Sequence, residues 1–164
     1  MSKMAAPPGE KEPVETKIVC SNRKARHLYH ILETWEAGLV LTGTEVKSLR
    51  AGNATMSDAY ADLIGTEMTL HNLHINPYEQ GNRWNHLPTR PRKLLLRKRE
   101  LNKLMGRTVE KGLTLVPLQV YFRGGWAKVE IALGRGKKIF DKRSDMAERE
   151  MKRDVERSLK ERQR

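Results

Sequence analysis

Cationic side chains, gathered into four clusters, are the residues of this sequence best suited to chemistry. The 164 residues include 32 lysines and arginines against 20 aspartates and glutamates, which gives a net charge of +12. The clusters lie at residues 22–27, at Lys47 with Arg50, at residues 90–99 and at residues 135–143. Because lysine and arginine bind phosphates, a charge of this size indicates a nucleic acid or an anionic membrane surface as the partner.

Aromatic residues make up only 5% of the sequence. This low content favours structured RNA, recognised through its shape and backbone, over a long stacking groove for single strands. Each basic cluster alone could be an ordinary solvated face. Four clusters in one chain of this charge predict an RNA-binding protein.

Metal-binding patterns are weak. His27 with His30, and His71 with His74, are each three residues apart, and on a strand this spacing puts the two rings on opposite faces. Cys20 is the only cysteine, so neither a disulfide nor a local zinc pattern can form. We interpret Cys20 as a small buried side chain and expect no metal.

Catalytic motifs are also lacking. The sequence has no serine-nucleophile elbow, no phosphate-binding P-loop and no dinucleotide-binding fingerprint. Ser48 beside Lys47 is not an activated pair, because neighbouring residues on a helix point in different directions. We therefore expect no catalytic residue and no cofactor; the alternative of an RNA-modifying enzyme would require residues that bind one.

The strand signals predict a mainly β protein with about six antiparallel strands. Apolar alternation and β-branched runs occur at residues 29–35, 37–42, 59–64, 68–75, 113–123 and 126–133, and residues 18–20 are either a short strand or an extended anchoring segment. The runs at 29–35 and 37–42 read as a hairpin joined near Glu36. Pro117 predicts an edge or a bulge, and Gly124 with Gly125 predicts a tight turn. Short strands with turns at this spacing indicate an OB-type barrel, closed or nearly closed, with flanking short helices.

A short helix is predicted at residues 43–52, between two glycines. Val46 and Leu49 are three apart and share a face, which must pack on something larger because two turns are not stable alone. The remaining side chains are expected to face outward: Glu45, Lys47, Ser48 and Arg50. The segment is either a connector or a platform that presents Lys47 and Arg50 to a polyanion.

Three further segments complete the organisation. Residues 76–91 form a long loop, and Leu101, Leu104, Met105 and Thr108 predict an amphipathic helix that ends by Gly112. Residues 1–16 are expected to be a disordered extension, residues 17–134 the barrel, and residues 135–164 a basic tail. The tail has too thin an apolar stripe to fold alone. We expect it to be disordered when free and helical on a partner, with a cap at Asp145 and Glu148; the alternative is a solubilising tail.

The cellular location is expected to be the cytoplasm. A single cysteine suits a reducing compartment. No apolar run approaches the length of a membrane span, and residues 1–16 contain no hydrophobic stretch that would make them a signal peptide. We therefore expect no membrane partner.

Five sequence blocks, in order along the chain, carry a resemblance to a known family. They are NRKARH at 22–27, EAGL at 36–39, GTEVKSLRAG at 43–52, RKLLL at 92–96, and GKK followed by DKR within 136–143. Together they resemble the bacterial SsrA-binding protein (SmpB) family from about residue 18 to the C-terminus. The resemblance implies an OB-type barrel and a non-enzymatic partner of transfer-messenger RNA in the rescue of stalled ribosomes.

The resemblance also implies how such a protein works. It binds the tRNA-like domain of transfer-messenger RNA, enhances the charging of that RNA with alanine, and accompanies it into the ribosomal A site. The barrel stands in for the missing anticodon arm, and the tail fills the empty decoding centre and mRNA channel as a helix. We expect a monomer. The alternative is a structural or assembly RNA-binding protein of the ribosome.

The resemblance assigns two sets of site residues. The expected RNA-binding positions are Asn22, Arg23, Lys24, His27, Glu36, Lys47, Arg50, Arg90, Arg92 and Lys93. The expected decoding-centre positions are Gly136, Lys137, Lys138, Phe140, Asp141, Lys142 and Arg143. Glu36 is unusual for an RNA binder; its carboxylate either accepts from base amino groups or orients a neighbouring lysine or arginine. Phe140 stands where we expect histidine or tyrosine in some relatives, and it can stack on a base but offers no hydrogen bond.

Overall fold

The computed structural model describes residues 15–162, and these residues form nine β-strands and four α-helices. The strands are β1 (Thr16–Ser21), β2 (Tyr29–Leu39), β3 (Ala54–Thr55), β4 (Tyr60–Ile64), β5 (Glu67–His71), β6 (His74–Ile75), β7 (Arg92–Leu95), β8 (Leu113–Arg123) and β9 (Trp126–Gly136). The helices are α1 (Ala25–Leu28), α2 (Gly43–Arg50), α3 (Lys98–Thr108) and α4 (Ile139–Arg162), with a 3₁₀ helix at Glu79–Trp84. Most of the predicted N-terminal extension lies outside the described residues.

Seven strands form one sheet in the order β1-β8-β4-β5-β7-β2-β9. Every pairing is antiparallel. β8 also pairs with β9, so the pairings return from the last strand of the sheet to β8. β3 and β6 form a separate two-stranded sheet. The prediction of a mainly β, antiparallel protein with flanking helices is confirmed.

β2 corrects one prediction. Residues 29–35 and 37–42 were expected to form a hairpin, but the structure has a single strand that pairs continuously with β9, with Glu36 opposite Glu130. The burial alternation passes through Glu36 without a break, since Trp35, Ala37 and Leu39 are all buried. Gly38 is the turn-favouring residue near Glu36, but it lies inside the strand, paired with Lys128 of β9 and Leu95 of β7. The period-two pattern therefore extends through one long strand.

The hairpin of β8 and β9 follows the sequence closely. Gly124 and Gly125 have φ values of 57° and 81°, which only glycine adopts at no steric cost. The register shifts between Pro117 and Gln119, so the predicted bulge at Pro117 is confirmed. β9 continues to Gly136, two residues beyond the predicted end of the barrel segment.

The apolar core lies between the inner faces of the strands and two helices. Val120, Val129 and Ile131 of the long hairpin are completely buried. Leu49 of α2 and Leu104 of α3 are equally inaccessible and belong to the same cluster. The predicted amphipathic helix is confirmed as α3. Each of these two leucines therefore anchors its helix to the core and is worth about 2–5 kcal/mol against alanine.

The tail is a single helix, α4, in the structure. Its first turn is capped by Asp141, whose Oδ2 accepts the Lys138 N–H at 3.2 Å, and not at the expected position, Asp145. Beyond its first turns the apolar side chains Met151, Val155 and Leu159 are exposed. This agrees with a stripe too thin to make a core, and disorder of the free tail stays a prediction.

None of the helices in residues 15–162 is long and apolar enough to cross a membrane.

Candidate nucleic-acid interface

α2 presents cations on one face and is anchored by the other. Leu49 is buried and Val46 packs partly buried against the core. Lys47 and Arg50 are exposed, as predicted. Ser48 was expected to face outward, but it is buried because its hydroxyl donates to the Asn76 carbonyl at 2.6 Å. The helix is therefore a pinned platform and not a loose connector.

Glu45 was also expected at the surface, and the structure buries it between two arginines. Its carboxylate accepts from Arg90 Nη2 at 2.6 Å and from Arg92 Nη2 at 2.8 Å, and also accepts the Thr42 N–H at 2.9 Å, which caps α2. Burial opposes ionisation of Glu45, but the hydrogen bonds from Arg90, Thr42 and Arg92 outweigh it and lower the pKa of Glu45 to about 2. This cluster ties α2 to β7 and to the loop before it.

Arg92 requires a correction. It was assigned to RNA, yet its side chain is completely buried and its remaining donors reach the carbonyls of Leu73 at 2.5 Å and Pro88 at 2.9 Å. A guanidinium with all its donors engaged inside the protein has none left for a phosphate. Arg90 is partly buried by the same carboxylate. Of the three positions assigned to RNA here, Arg90, Arg92 and Lys93, only Lys93 is fully exposed, and it forms an ion pair with Glu67.

Glu36 lies on the outer face of β2 and is the centre of a polar array. Its carboxylate accepts from Lys128 Nζ and from the Tyr121 hydroxyl, and from Arg123 Nη1 at 3.2 Å. The hydrogen bonds from Lys128 and Tyr121 lower the pKa of Glu36 to about 2, while burial and the Glu36 charge raise the pKa of Tyr121. The geometry therefore favours the second reading of Glu36, a carboxylate that orients neighbouring cations.

The sequence analysis did not predict three members of this array, Lys128, Arg123 and Tyr121. Tyr121 and Arg123 lie on β8 and Lys128 lies on β9, on either side of the predicted Gly124–Gly125 turn. Tyr121 and Lys128 are register partners. That hairpin was itself predictable, so a search for polar side chains flanking its turn could have found them.

A groove of about 660 Å³ borders the Glu36 array. Its wall includes the exposed apolar side chains Val40, Leu95 and Trp126, and its rim carries Arg97 and Lys128. An aromatic ring beside cations is suited to stacking a base while the cations bind phosphates.

Residues 22–27 surround the start of α1. Asn22 is partly structural, because its Oδ1 accepts the Ala25 N–H at 3.1 Å and its own N–H donates to Leu118 at 2.7 Å. Arg23 and Lys24 are exposed, and His27 is half-buried. The bonds of Asn22 thus fix the turn that carries Arg23 and Lys24 at the surface.

The tail begins beside this cluster. The Lys137 N–H donates to the Leu28 carbonyl at 2.8 Å, its Nζ donates to the Arg26 carbonyl at 3.0 Å, and Nζ also pairs with Asp145. Asp141 lies 3.6 Å from His30 Nε2. Of the predicted decoding-centre residues, Lys137 and Asp141 are therefore engaged with the body. The others include Gly136 at the end of β9 and Lys142, which is half-buried; Lys138, Phe140 and Arg143 are exposed.

The predicted positions lie on several elements. The Arg50 guanidinium carbon is 5.7 Å from the Phe122 ring, but Phe122 belongs to the core cluster and faces away from Tyr121 and Arg123 on β8. This contact therefore does not join α2 to the Glu36 array. Lys93 lies on a different element from Arg50. It belongs to β7, where its register partner is Thr69 of β5.

Metal binding and thiol chemistry find no support in the described part of the chain. Within residues 15–162 there is no group of three or more His, Cys, Asp or Glu side chains that could hold a metal ion. Burial raises the pKa of the Cys20 thiol to about 11, which keeps it protonated and a poor nucleophile at neutral pH.

Comparison with known proteins gives a consistent family. A family profile described as SmpB protein matches residues 19–161. The SsrA-binding protein of Pelotomaculum thermopropionicum is 58% identical over 148 residues, which cover 90% of this chain and 97% of the relative. That of Desulforudis audaxviator is 60% identical over 144 residues, covering 88% and 94%.

A solved structure agrees with these relatives. A chain of the structure described as "tmRNA-SmpB: a journey to the center of the bacterial ribosome" matches with a TM-score of 0.62 and 53% sequence identity. The match covers 77% of this chain and 86% of the other. The matched profile, the identities and the shared fold all lead to one assignment: this chain belongs to the SmpB protein family.

Proposed function

We propose that this chain is a non-enzymatic RNA-binding protein that binds the tRNA-like domain of transfer-messenger RNA and delivers it to the A site of stalled ribosomes for trans-translation. The observation that carries the proposal is the identity of 55–60% with proteins named SsrA-binding protein over about nine-tenths of the chain. The match to a tmRNA-SmpB structure supports the ribosome as the second partner.

The barrel of this proposal is OB-type. The strands β8, β4, β5, β7, β2 and β9 follow one another by pairing, and the contact of β9 with β8 completes the circuit. We propose that these pairings close the sheet into a barrel, with β1 left as an edge strand beside β8. The closure gives the outer face of β2, β8 and β9 a fixed curvature on which RNA can rest.

The RNA-binding surface centres on the Glu36 array. Glu36 holds Lys128 and Arg123 by charge-assisted hydrogen bonds, so these two cations meet phosphates without first being ordered. Lys47 and Arg50 extend the surface over α2, and the exposed cations of residues 22–27 extend it around α1. Asn22, His27, Lys93 and the partly exposed Arg90 complete the proposed set, from which Arg92 is excluded by its burial.

The tail has a separate role in the proposal. Residues 135–164 enter the empty decoding centre and mRNA channel, with Lys138, Phe140 and Arg143 already exposed for contact with ribosomal RNA. Lys137 and Asp141 fix where the tail leaves the barrel. We place the protein in the cytoplasm with its ribosomes, as a monomer that needs no metal or cofactor.

A gel-shift competition tests the proposal. The full chain is bound to labelled transfer-messenger RNA and challenged with unlabelled transfer-messenger RNA or with bulk tRNA. We expect the first competitor to displace the label and the second to fail at the same concentration. Equal displacement by both would contradict the proposal, and stable association with ribosomes stripped of transfer-messenger RNA would favour the assembly-protein alternative instead.

A further inference from the structure

The loop at residues 76–91, beside α2, exposes an aromatic side chain that the fold does not need. The indole of Trp84 is 73% exposed, and the Arg83 guanidinium carbon lies 5.8 Å from its ring centroid. On the neighbouring helix, Lys47 Nζ lies 5.5 Å from the ring of Tyr78. Together, an exposed indole and two nearby cations offer a flat face for a base and positive charge for phosphates.

This loop is held in one conformation. The Asn85 side chain forms two hydrogen bonds with the Tyr78 backbone. Its Oδ1 accepts the Tyr78 N–H at 3.0 Å, and its Nδ2 donates to the Tyr78 carbonyl at 2.9 Å. Gly81 is packed so closely that a Cβ there would come within 2.6 Å of Asn85 Oδ1. Asn82 has a φ of 43°, a strained value that surrounding contacts must enforce. The side chains of Arg83 and Trp84 are therefore presented from a rigid turn.

Both ends of the loop are clamped to α2. Ser48 donates to the Asn76 carbonyl at 2.6 Å. Arg92, itself bound to Glu45, donates to the Pro88 carbonyl at 2.9 Å. Loop and helix consequently form one unit, which keeps Lys47 in a fixed relation to Trp84.

The charges of this unit suit an anion. Within residues 15–162 neither Lys47 nor Arg83 lies within ion-pair distance of a carboxylate. Glu79 is the single acid among residues 76–91. The ligand that combines a flat ring with negative charge on either side is a nucleotide in a chain. A protein partner would be expected to require a broader apolar groove.

We propose that Trp84, Arg83 and Lys47 form a binding site for one unpaired nucleotide of transfer-messenger RNA, with the base stacked on Trp84 and the flanking phosphates bound by Arg83 and Lys47. The site rests on the proposed function, because it takes its ligand from the same RNA. It continues the proposed interface from Lys47 onto a loop outside the predicted set of contacts.

The test uses the full chain and intact transfer-messenger RNA, with variants Trp84→Ala, Trp84→Phe and Arg83→Ala. Loss of stacking on an aromatic side chain weakens RNA affinity about 5- to 150-fold, and we expect Trp84→Ala to fall in this range. Trp84→Phe keeps an aromatic face and retains most of the affinity. In the parent, log affinity falls as log salt rises. Arg83→Ala should make this negative slope shallower by about 0.7–0.9, because one phosphate contact is lost.

Leu87→Ala is the matched control, because Leu87 lies in the same loop and is 76% exposed but is neither aromatic nor charged. It should bind RNA as the parent does. Chemical probing of the bound RNA adds a local readout: one unpaired base should be protected by the parent and by Trp84→Phe, and exposed with Trp84→Ala. Thermal unfolding of each variant establishes that the loop change leaves the fold intact.

Unchanged affinity and protection with Trp84→Ala would overturn the site while the parent still selects transfer-messenger RNA over bulk tRNA. A parent that fails that selection would overturn the proposed function, and with it the identity of this ligand. An effect of Trp84→Ala only on ribosome binding, and none on the free RNA, would also overturn the site as proposed.

Discussion

Two glutamates show how single residues organise this basic protein. Glu36 and Glu45 each accept hydrogen bonds from two cationic side chains, and both have pKa values lowered to about 2. Glu45 does this in the interior, where it joins elements of the fold. Glu36 does it at the surface, where the cations it holds remain open to RNA.

Glu45→Gln should destabilise the protein strongly. Removal of one partner from a buried pair leaves uncompensated positive charge on Arg92, at a cost of about 3–5 kcal/mol. Denaturant unfolding measures the loss. The matched control is Glu67→Gln, which breaks the exposed pair with Lys93 and should cost less than about 1 kcal/mol. Equal losses in the two variants would mean that the Glu45 cluster does not support the fold.

The same residue makes stability depend on pH. The pKa of Glu45 is lower in the folded protein than its ordinary value of 4.5, so its contribution is complete above about pH 5 and is lost as the pH falls towards 2. We expect the parent to lose stability over this range and Glu45→Gln to lose less of it. Unfolding curves at several pH values between 2 and 6 measure the difference.

Glu36→Ala should reduce selectivity and not simple attraction to RNA. The variant gains positive charge, so its affinity for bulk tRNA should not fall, whereas its preference for transfer-messenger RNA should fall because Lys128 and Arg123 lose their common acceptor. Lys128→Ala should instead weaken binding to both RNAs. Competition assays on the two variants measure this contrast. If Glu36→Ala were as selective as the parent, Glu36 would not organise Lys128 and Arg123 for RNA binding.

At the scale of elements, most local signals predicted the structure well, apart from the hairpin expected near Glu36 and the cap expected at Asp145, whereas long-range contacts were not predicted. The turn at Gly124, the bulge at Pro117 and helix α3 are local features, and all are present. Arg92 and Glu45 are 47 residues apart, and nothing in either neighbourhood marks them as partners. A cationic run such as residues 90–99 therefore could not be divided by sequence into buried and exposed members.

α2 provides a paired test at this scale. Val46→Asp places a charge against the core at a cost of about 2 kcal/mol or more, and it should lower the thermal midpoint and reduce RNA binding as a consequence. Lys47→Ala should weaken RNA binding with an unchanged midpoint, because Lys47 is exposed. Circular dichroism with temperature separates the two effects. The reverse pattern would show that the helix faces are assigned wrongly.

At the scale of the whole molecule, the antiparallel sheet and the tail helix α4 meet at a small junction. Within residues 15–162, the ion pairs that α4 makes with residues outside it lie in its first turns, from Asp141 to His30 and from Asp145 to Lys137. Arg149 borders a small cavity with Arg23. The rest of the helix is exposed. This arrangement suits a division of labour, in which the barrel binds transfer-messenger RNA and the tail acts only on the ribosome.

The most direct test of that division is truncation after Lys138. This point removes α4 while keeping the end of β9 at Gly136 and the bond from the Lys137 N–H to Leu28. Affinity for transfer-messenger RNA and ribosome-dependent peptide tagging are measured on the same preparation. We expect nearly unchanged RNA affinity and no tagging. Loss of both activities, or retention of both, would contradict the account of a barrel that binds the RNA and a tail that reads the empty decoding centre.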